Sequence, residues 1–258
     1  MLYKTIIFIF LSVSLLQAND SELQKIFEKF NLKGTLVIAS LSNKENYLFD
    51  AQRAKTRFIV ASTFKIPHTL IALSEKLIHN EDDIIKWDAK QREYEEWNKD
   101  QTLKSAMQVS CVWCYQRFSY SLSKEKYLEY LKKFDYGNQS ITTEKSKFWL
   151  GDGSLKISAF EQIAFLKKFY SSNLPIEKKF IDITKKIIVV EEKSDYTLYA
   201  KSGWSGTIGW YVGYVKTKKD VYFFAMNAEI NATQLALRKE LVMAALNAKK
   251  IIGHPKKL

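Results

Sequence analysis

The residue patterns along this chain change period in blocks, and the order of those blocks limits the fold more than any other feature. Near the start, Thr35 to Leu41 and Asn46 to Asp50 read as strands joined by a Ser42-Asn43-Lys44 turn. A long stretch with helical spacing follows. Three more strands, Tyr196 to Ala200, Ile208 to Lys216 and Val221 to Ala228, then lead into a helix from Ala232 to about Lys249. Strands segregated at the two ends and joined by hairpins predict an antiparallel β-sheet in an α+β fold. Helices at the two ends of the chain are placed to cover one face of that sheet.

The helical block has its own punctuation. Ser21 is read as the cap of a first helix whose Leu23, Ile26, Phe27 and Phe30 share a face. A helix starting near Ser62 carries Ile66, Leu70, Leu73 and Leu77. Pro67 fits it only within the first turn. Ser123 caps a helix that stops before Gly137, and Ser158 with Glu161 has the spacing of a capping box. A further helix is expected over Glu177 to Val190. These assignments give a sheet subdomain at about 19–60 and 191–258, and a helical subdomain at about 61–190.

With 258 residues and 47% hydrophobic residues, the chain can bury a core as one large domain or as two subdomains. Its formal charge of +12 raises nucleic acid as a partner. The basic residues are dispersed, however, in pairs such as Lys132-Lys133 and Lys185-Lys186 beside helical apolar stripes. They read as solvated helix faces, and no nucleic-acid site is expected. Residues 1–18 read as a signal peptide: Lys4, an apolar run from Ile6 to Leu16, then Leu16-Gln17-Ala18. That implies a mature chain from about Asn19, secreted and periplasmic, with no stable membrane association after cleavage. The compartment is oxidising, and the two cysteines, Cys111 and Cys114, are too few for a disulfide scaffold. The three histidines, His68, His79 and His254, form no metal-ligand spacing, and no metal site is expected.

The chemistry begins at Ser62-Thr63-Phe64-Lys65. A serine hydroxyl needs a base, and a residue three positions on lies one helical turn away on the same face. Phe64 and Ile66 flank Lys65, and desolvation lowers a lysine pKa. Taken alone, the pattern reads better as a helix cap followed by a surface lysine. The second element is Lys201-Ser202-Gly203 at a strand end, where glycine admits a ligand close to the backbone. Alone, that too is an ordinary strand end entering a turn.

In this order and separation, the two elements match the S-x-x-K and K-T-G pair shared by β-lactamases and penicillin-binding proteins. Ser110-Cys111-Val112, Tyr136-Gly137-Asn138, Trp149-Leu150 and Arg238 then resemble the remaining signatures of the class D, oxacillinase-type serine β-lactamases. The resemblance runs from about Ser21 to the C-terminus and implies the serine β-lactamase/penicillin-binding-protein-like fold. Ser202 stands where many relatives carry threonine. Cys111 and Cys114 are outside the family pattern.

The same resemblance implies a role for each matched residue. Ser62 opens a β-lactam as an acyl-enzyme, and Lys65 reacts with carbon dioxide to become an N-carboxylated general base. Trp149 donates its indole N–H to that carbamate, and Val112 and Leu150 line the pocket. Ser110 relays a proton to the leaving nitrogen beside Lys201. Ser202 and Arg238 hold the substrate carboxylate, and the backbone N–H groups of Ser62 and Trp204 form the oxyanion hole next to Gly203. Tyr136 and Asn138 are assigned to the site wall. No cofactor is expected beyond carbon dioxide or bicarbonate, and the substrate is a small-molecule β-lactam. A β-lactam sensor that keeps its acyl group, and a penicillin-binding transpeptidase, are the rival readings. A thiol redox enzyme built on Cys111-x-x-Cys114 lacks the expected βαβ context. Cys111 and Cys114 are either disulfide-bonded or two buried thiols.

Overall fold

The computed structural model describes residues 19–151 and 153–253. The predicted signal peptide and His254 lie outside the described residues. In chain order the elements are α1 (Ser21–Phe30), β1 (Gly34–Ser40), β2 (Asn46–Phe49), α2 (Ala51–Lys55), β3 (Phe58–Ile59), a 3₁₀ turn (Ala61–Phe64) and α3 (Lys65–Ser74). Then come β4 (Ile84–Ile85), a short 3₁₀ turn (Glu95–Trp97), β5 (Gln101–Thr102), α4 (Leu103–Gln108), α5 (Val112–Ser121), α6 (Lys124–Phe134) and β6 (Lys156–Ile157). The chain closes with α7 (Ala159–Tyr170), α8 (Lys178–Ile187), β7 (Val189–Glu192), β8 (Tyr196–Trp204), β9 (Ile208–Thr217), β10 (Val221–Glu229), a 3₁₀ turn (Ala232–Gln234) and α9 (Leu237–Ala248).

The main sheet is antiparallel in the order β2-β1-β10-β9-β8-β7. Alternate residues of its strands feed two cores. Leu36 and Ile38 of β1 pack with Leu198, Phe224 and Met226 under α1 and α9, where Leu23, Phe27, Leu241 and Ala245 cover the sheet. Val37 and Ala39 point the other way, with Trp210, Val212 and Phe223, into the core that contains α3, α5 and α7. Both faces are therefore covered, and every residue of β1 is buried. The terminal helices lie over one face, as the block order predicts.

Several boundaries differ from the sequence expectation, each for a local reason. The cap of α1 is Asp20, not Ser21: its carboxylate accepts from the Glu22 and Leu23 amides and also meets Lys249. The helix expected to reach Val190 stops at Ile187, and Val189 and Val190 enter an edge strand instead. β-Branched side chains favour that extended backbone. The helix expected from Ala232 to Lys249 breaks into a 3₁₀ turn capped by Asn231 and a separate α9. The Ser62 helix opens with a 3₁₀ turn, leaving Pro67 in the first turn of α3, where its missing N–H costs nothing. The cap at Ser123 and the capping box of Ser158 with Glu161 form as expected.

Candidate active site

Ser62 sits in the 3₁₀ turn that leads into α3, just after Ala61, whose backbone is left-handed at φ 47°. A non-glycine residue held there marks a backbone constrained by its surroundings. One turn on, Lys65 is fully buried, and its Nζ donates to Ser62 Oγ at 2.9 Å. The Nζ lies 4.6 Å from the Trp149 ring centre and 5.2 Å from that of Tyr115. No ion pair among the described residues involves Lys65. Burial, joined by the charge of Lys201, holds its amine well below the usual lysine range. An apolar box of this kind penalises the charged form of the amine.

Trp149 is also fully buried, and its indole Nε1 has no hydrogen-bond partner in the structure. A buried donor left unsatisfied is costly, so the group is built for an acceptor. Beside it His68 lies buried, its Nε2 2.7 Å from Tyr127 Oη. Burial drives the His68 pKa down to about 3, with the Lys65 charge second, so the ring is neutral.

Ser62 opens into a cleft of about 230 Å³. Of the residues expected from sequence, Ser110, Val112, Ser202, Gly203, Trp204 and Arg238 line it. Ser110 projects from a turn with φ 56°. It is not the cap of α5: Cys111 is, and the structure joins Cys111 and Cys114 in a disulfide. Gly203 brings β8 against the catalytic turn. A methyl group at that position would sit 3.3 Å from Ser62 N and 3.2 Å from Thr63 Cγ2.

Three basic side chains, Lys65, Lys201 and Arg238, lie at the Ser62 cleft or beside it, and no carboxylate lines the cleft. Lys201 is buried on β8, in an adjoining cavity that shares Ser202 and Arg238 with the cleft, and donates to Ser202 O at 3.1 Å. Burial, with Arg238 second, lowers its pKa to about 7. Arg238, on the first turn of α9, donates from Nη1 to Gly203 O at 2.8 Å and from Nε to Leu235 O at 2.7 Å. The chain break before α9 aims it at the end of β8.

Two expectations are corrected. Tyr136 does not form the wall. It is fully buried behind the catalytic turn, with its ring 5.8 Å from Phe64 and 5.0 Å from Phe165. Asn138 is a loop clasp, its side chain donating to Ser154 O and accepting from Lys156 N, which closes the segment that carries Trp149. Leu150 follows Trp149, packs against the core that holds it, and also lines a cavity with Gln116 and Lys147. Sequence reasoning missed Tyr94, Trp97, Val109 and Leu235, which complete the cleft. The signal for the first two was present: two aromatics inside the polar run from Arg92 to Asp100, with rings 4.7 Å apart.

A family model described as penicillin binding protein transpeptidase domain matches residues 30–248. The chain is 40% identical to β-lactamase OXA-2 of Salmonella typhimurium over 229 residues, 88% of this chain and 83% of that protein. It is 38% identical to β-lactamase OXA-10 of Pseudomonas aeruginosa over 237 residues, 89% of each. Among solved structures, FUS-1 (OXA-85), a class D β-lactamase from Fusobacterium nucleatum subsp. polymorphum, matches with a TM-score of 0.87 at 36% identity, covering 91% of this chain and 100% of that one. A class D β-lactamase from Sebaldella termitidis matches with a TM-score of 0.86 at 40% identity, covering 90% and 96%. The serine–lysine pair, the strand that walls it and the arginine from the last helix thus sit on a shared fold, and this chain belongs to the class D β-lactamases.

Proposed function

We propose that this protein hydrolyses β-lactam antibiotics through an acyl-enzyme on Ser62. The observation that carries the reading is the buried Lys65 Nζ, 2.9 Å from Ser62 Oγ and beside the unpartnered Trp149 indole N–H. A neutral amine in an apolar pocket is the form that takes up carbon dioxide, and the buried, unpartnered Trp149 indole N–H is a donor that supports this reading. Carboxylation of Lys65 supplies an anionic base beside Ser62 Oγ and the hydrolytic water. Trp149 Nε1 holds that group in place, and Val112 closes the pocket from the cleft side.

The remaining roles rest on charge and position. Ser62 Oγ attacks the lactam carbonyl, and the amides of Ser62 and Trp204 take the developing oxyanion. Losing one such donor typically costs about 10²–10³ in rate. Ser110 passes a proton to the departing nitrogen, in the positive potential of Lys201. Ser202 and Arg238 hold the substrate carboxylate, for which a guanidinium fork is suited. Gly203 lets the antibiotic lie along β8. The enzyme acts after export to the periplasm, on a small-molecule substrate, with carbon dioxide or bicarbonate as its one small-molecule requirement. Among the described residues, no helix is long and apolar enough to cross a membrane.

Turnover of a chromogenic β-lactam by purified protein tests the reading. Many turnovers per enzyme, abolished by Ser62→Ala, are the expected result. A single acylation that persists for hours overturns hydrolysis and supports a sensor instead.

A further inference from the structure

The disulfide between Cys111 and Cys114 bridges the first turn of α5, with Cα atoms 5.5 Å apart. Both residues are fully buried in the same core as Tyr115 and Trp149. The cysteines are only three residues apart in sequence, and so short a loop restrains the unfolded chain far less than a long one. A bridge of this kind is poorly placed to stabilise the fold as a whole, so its effect is local.

The neighbours of the two cysteines are the walls of the site. Ser110 and Val112 flank Cys111, and both line the cleft. Ser110 is held at φ 56°, a conformation that residues with side chains seldom adopt. Two backbone hydrogen bonds fold its turn, Cys111 N to Ala106 O at 2.9 Å and Ser110 N to Met107 O at 3.3 Å. Trp113 and Tyr115 flank Cys114. Trp113 Nε1 donates to Trp97 O, and Trp97 Nε1 donates to Val109 O, which ties the aromatic wall back to the Ser110 turn. On the other side, Tyr115 stands 5.2 Å from Lys65 Nζ, and its hydroxyl is 2.7 Å from Thr69 Oγ1, one turn beyond Lys65 on α3. The bridge therefore joins the turn that presents Ser110 to the helix face that encloses Lys65.

We propose that the Cys111–Cys114 bridge is a positioning element of the reaction: it holds Ser110, Val112 and Tyr115 against Ser62 and Lys65, and so supports turnover and carbon dioxide uptake at Lys65 rather than substrate capture. This rests on the hydrolytic reading above. A displacement of about 1 Å in a reacting group costs on the order of 10²-fold in rate, so a relaxed turn is visible in kcat.

The test uses the exported full-length protein and begins with thiol titration after denaturation. Absence of free thiols is expected, and two free thiols overturn the proposal. The variant Cys111→Ala/Cys114→Ala is then compared with wild type in kcat, KM and the bicarbonate concentration that half-restores activity after degassing. A kcat about ten- to hundred-fold lower, a KM within about three-fold (a much smaller change than the kcat loss) and a several-fold higher bicarbonate requirement are the expected result. Unchanged kcat, or a loss carried by KM, overturns the proposal. A kcat loss with an unchanged bicarbonate requirement overturns the role at Lys65. Should the alanine pair fail to fold by thermal melting, Cys111→Ala/Cys114→Val refills the apolar volume and is read in the same way. Failure of both to fold makes the bridge an element of the fold and overturns the positioning role. Wild-type protein without turnover refutes the hydrolytic reading itself, a result separate from all of these.

Discussion

The Trp149 ring lies 4.6 Å from Lys65 Nζ, yet its buried indole N–H faces no acceptor. The aromatic face covers the amine, and under the proposed mechanism the N–H holds the carbamate formed on Lys65. Trp149→Phe separates these two functions, since it keeps the ring and deletes the donor. It is expected to retain the fold and slow hydrolysis of the acyl-enzyme, because a buried hydrogen bond to a charged group contributes about 1.5–3 kcal/mol. The acyl-enzyme should then accumulate in the intact mass spectrum during turnover. Wild-type deacylation in this variant removes the donor role from Trp149.

The pH dependence comes from two lysines with lowered pKa values. For Lys65, burial favours the neutral amine, and acid restores the proton. Activity is therefore expected to fall as the pH is lowered and to be recovered by added bicarbonate. For Lys201, the proton is lost as pH rises through about 7. Its positive potential for an anionic substrate goes with it, so kcat/KM falls on the alkaline side. Because kcat/KM reports groups of the free enzyme, the profile should be bell-shaped. Bicarbonate should move only the acid limb, and a degassed enzyme that keeps full activity contradicts the role of Lys65.

Arg238 bonds the backbone at Gly203 and Leu235 and meets no carboxylate among the described residues, which leaves its charge available to the cleft. Arg238→Ala is expected to raise KM by about ten-fold or more, the loss of one charge-assisted contact. kcat should change less, since a contact kept from ground state to transition state acts as uniform binding. Steady-state kinetics with a β-lactam that carries its carboxylate reads this directly, and an unchanged KM removes Arg238 from substrate binding.

The parts of the site legible in sequence were those set by short-range geometry. Lys65 lies one turn after Ser62 whatever the rest of the fold does, and Lys201 and Gly203 fall on a strand that its own alternation marks. The antiparallel sheet and its covering helices were likewise readable from periodicity. β7 was not, because Val189 follows α8 with no turn residue between them. Side-chain direction in irregular segments was also hidden. Tyr136 precedes the left-handed Gly137 and lies buried behind the catalytic turn instead of in the cleft wall. Tyr94 and Trp97 reach the cleft from a polar loop without periodicity, and tertiary hydrogen bonds of Trp97 with Val109 and Trp113 hold that loop there.

The central claim is that Ser62, served by Lys65, both forms and releases an acyl-enzyme. Intact mass spectrometry of the protein mixed with a β-lactam, followed in time beside absorbance of the ring-opened product, tests it most directly. The account predicts an adduct of the substrate's mass on Ser62 that appears, then vanishes as many equivalents of product form, and that never appears in Ser62→Ala. Product formation without dependence on Ser62, or an adduct that persists after substrate is exhausted, contradicts it.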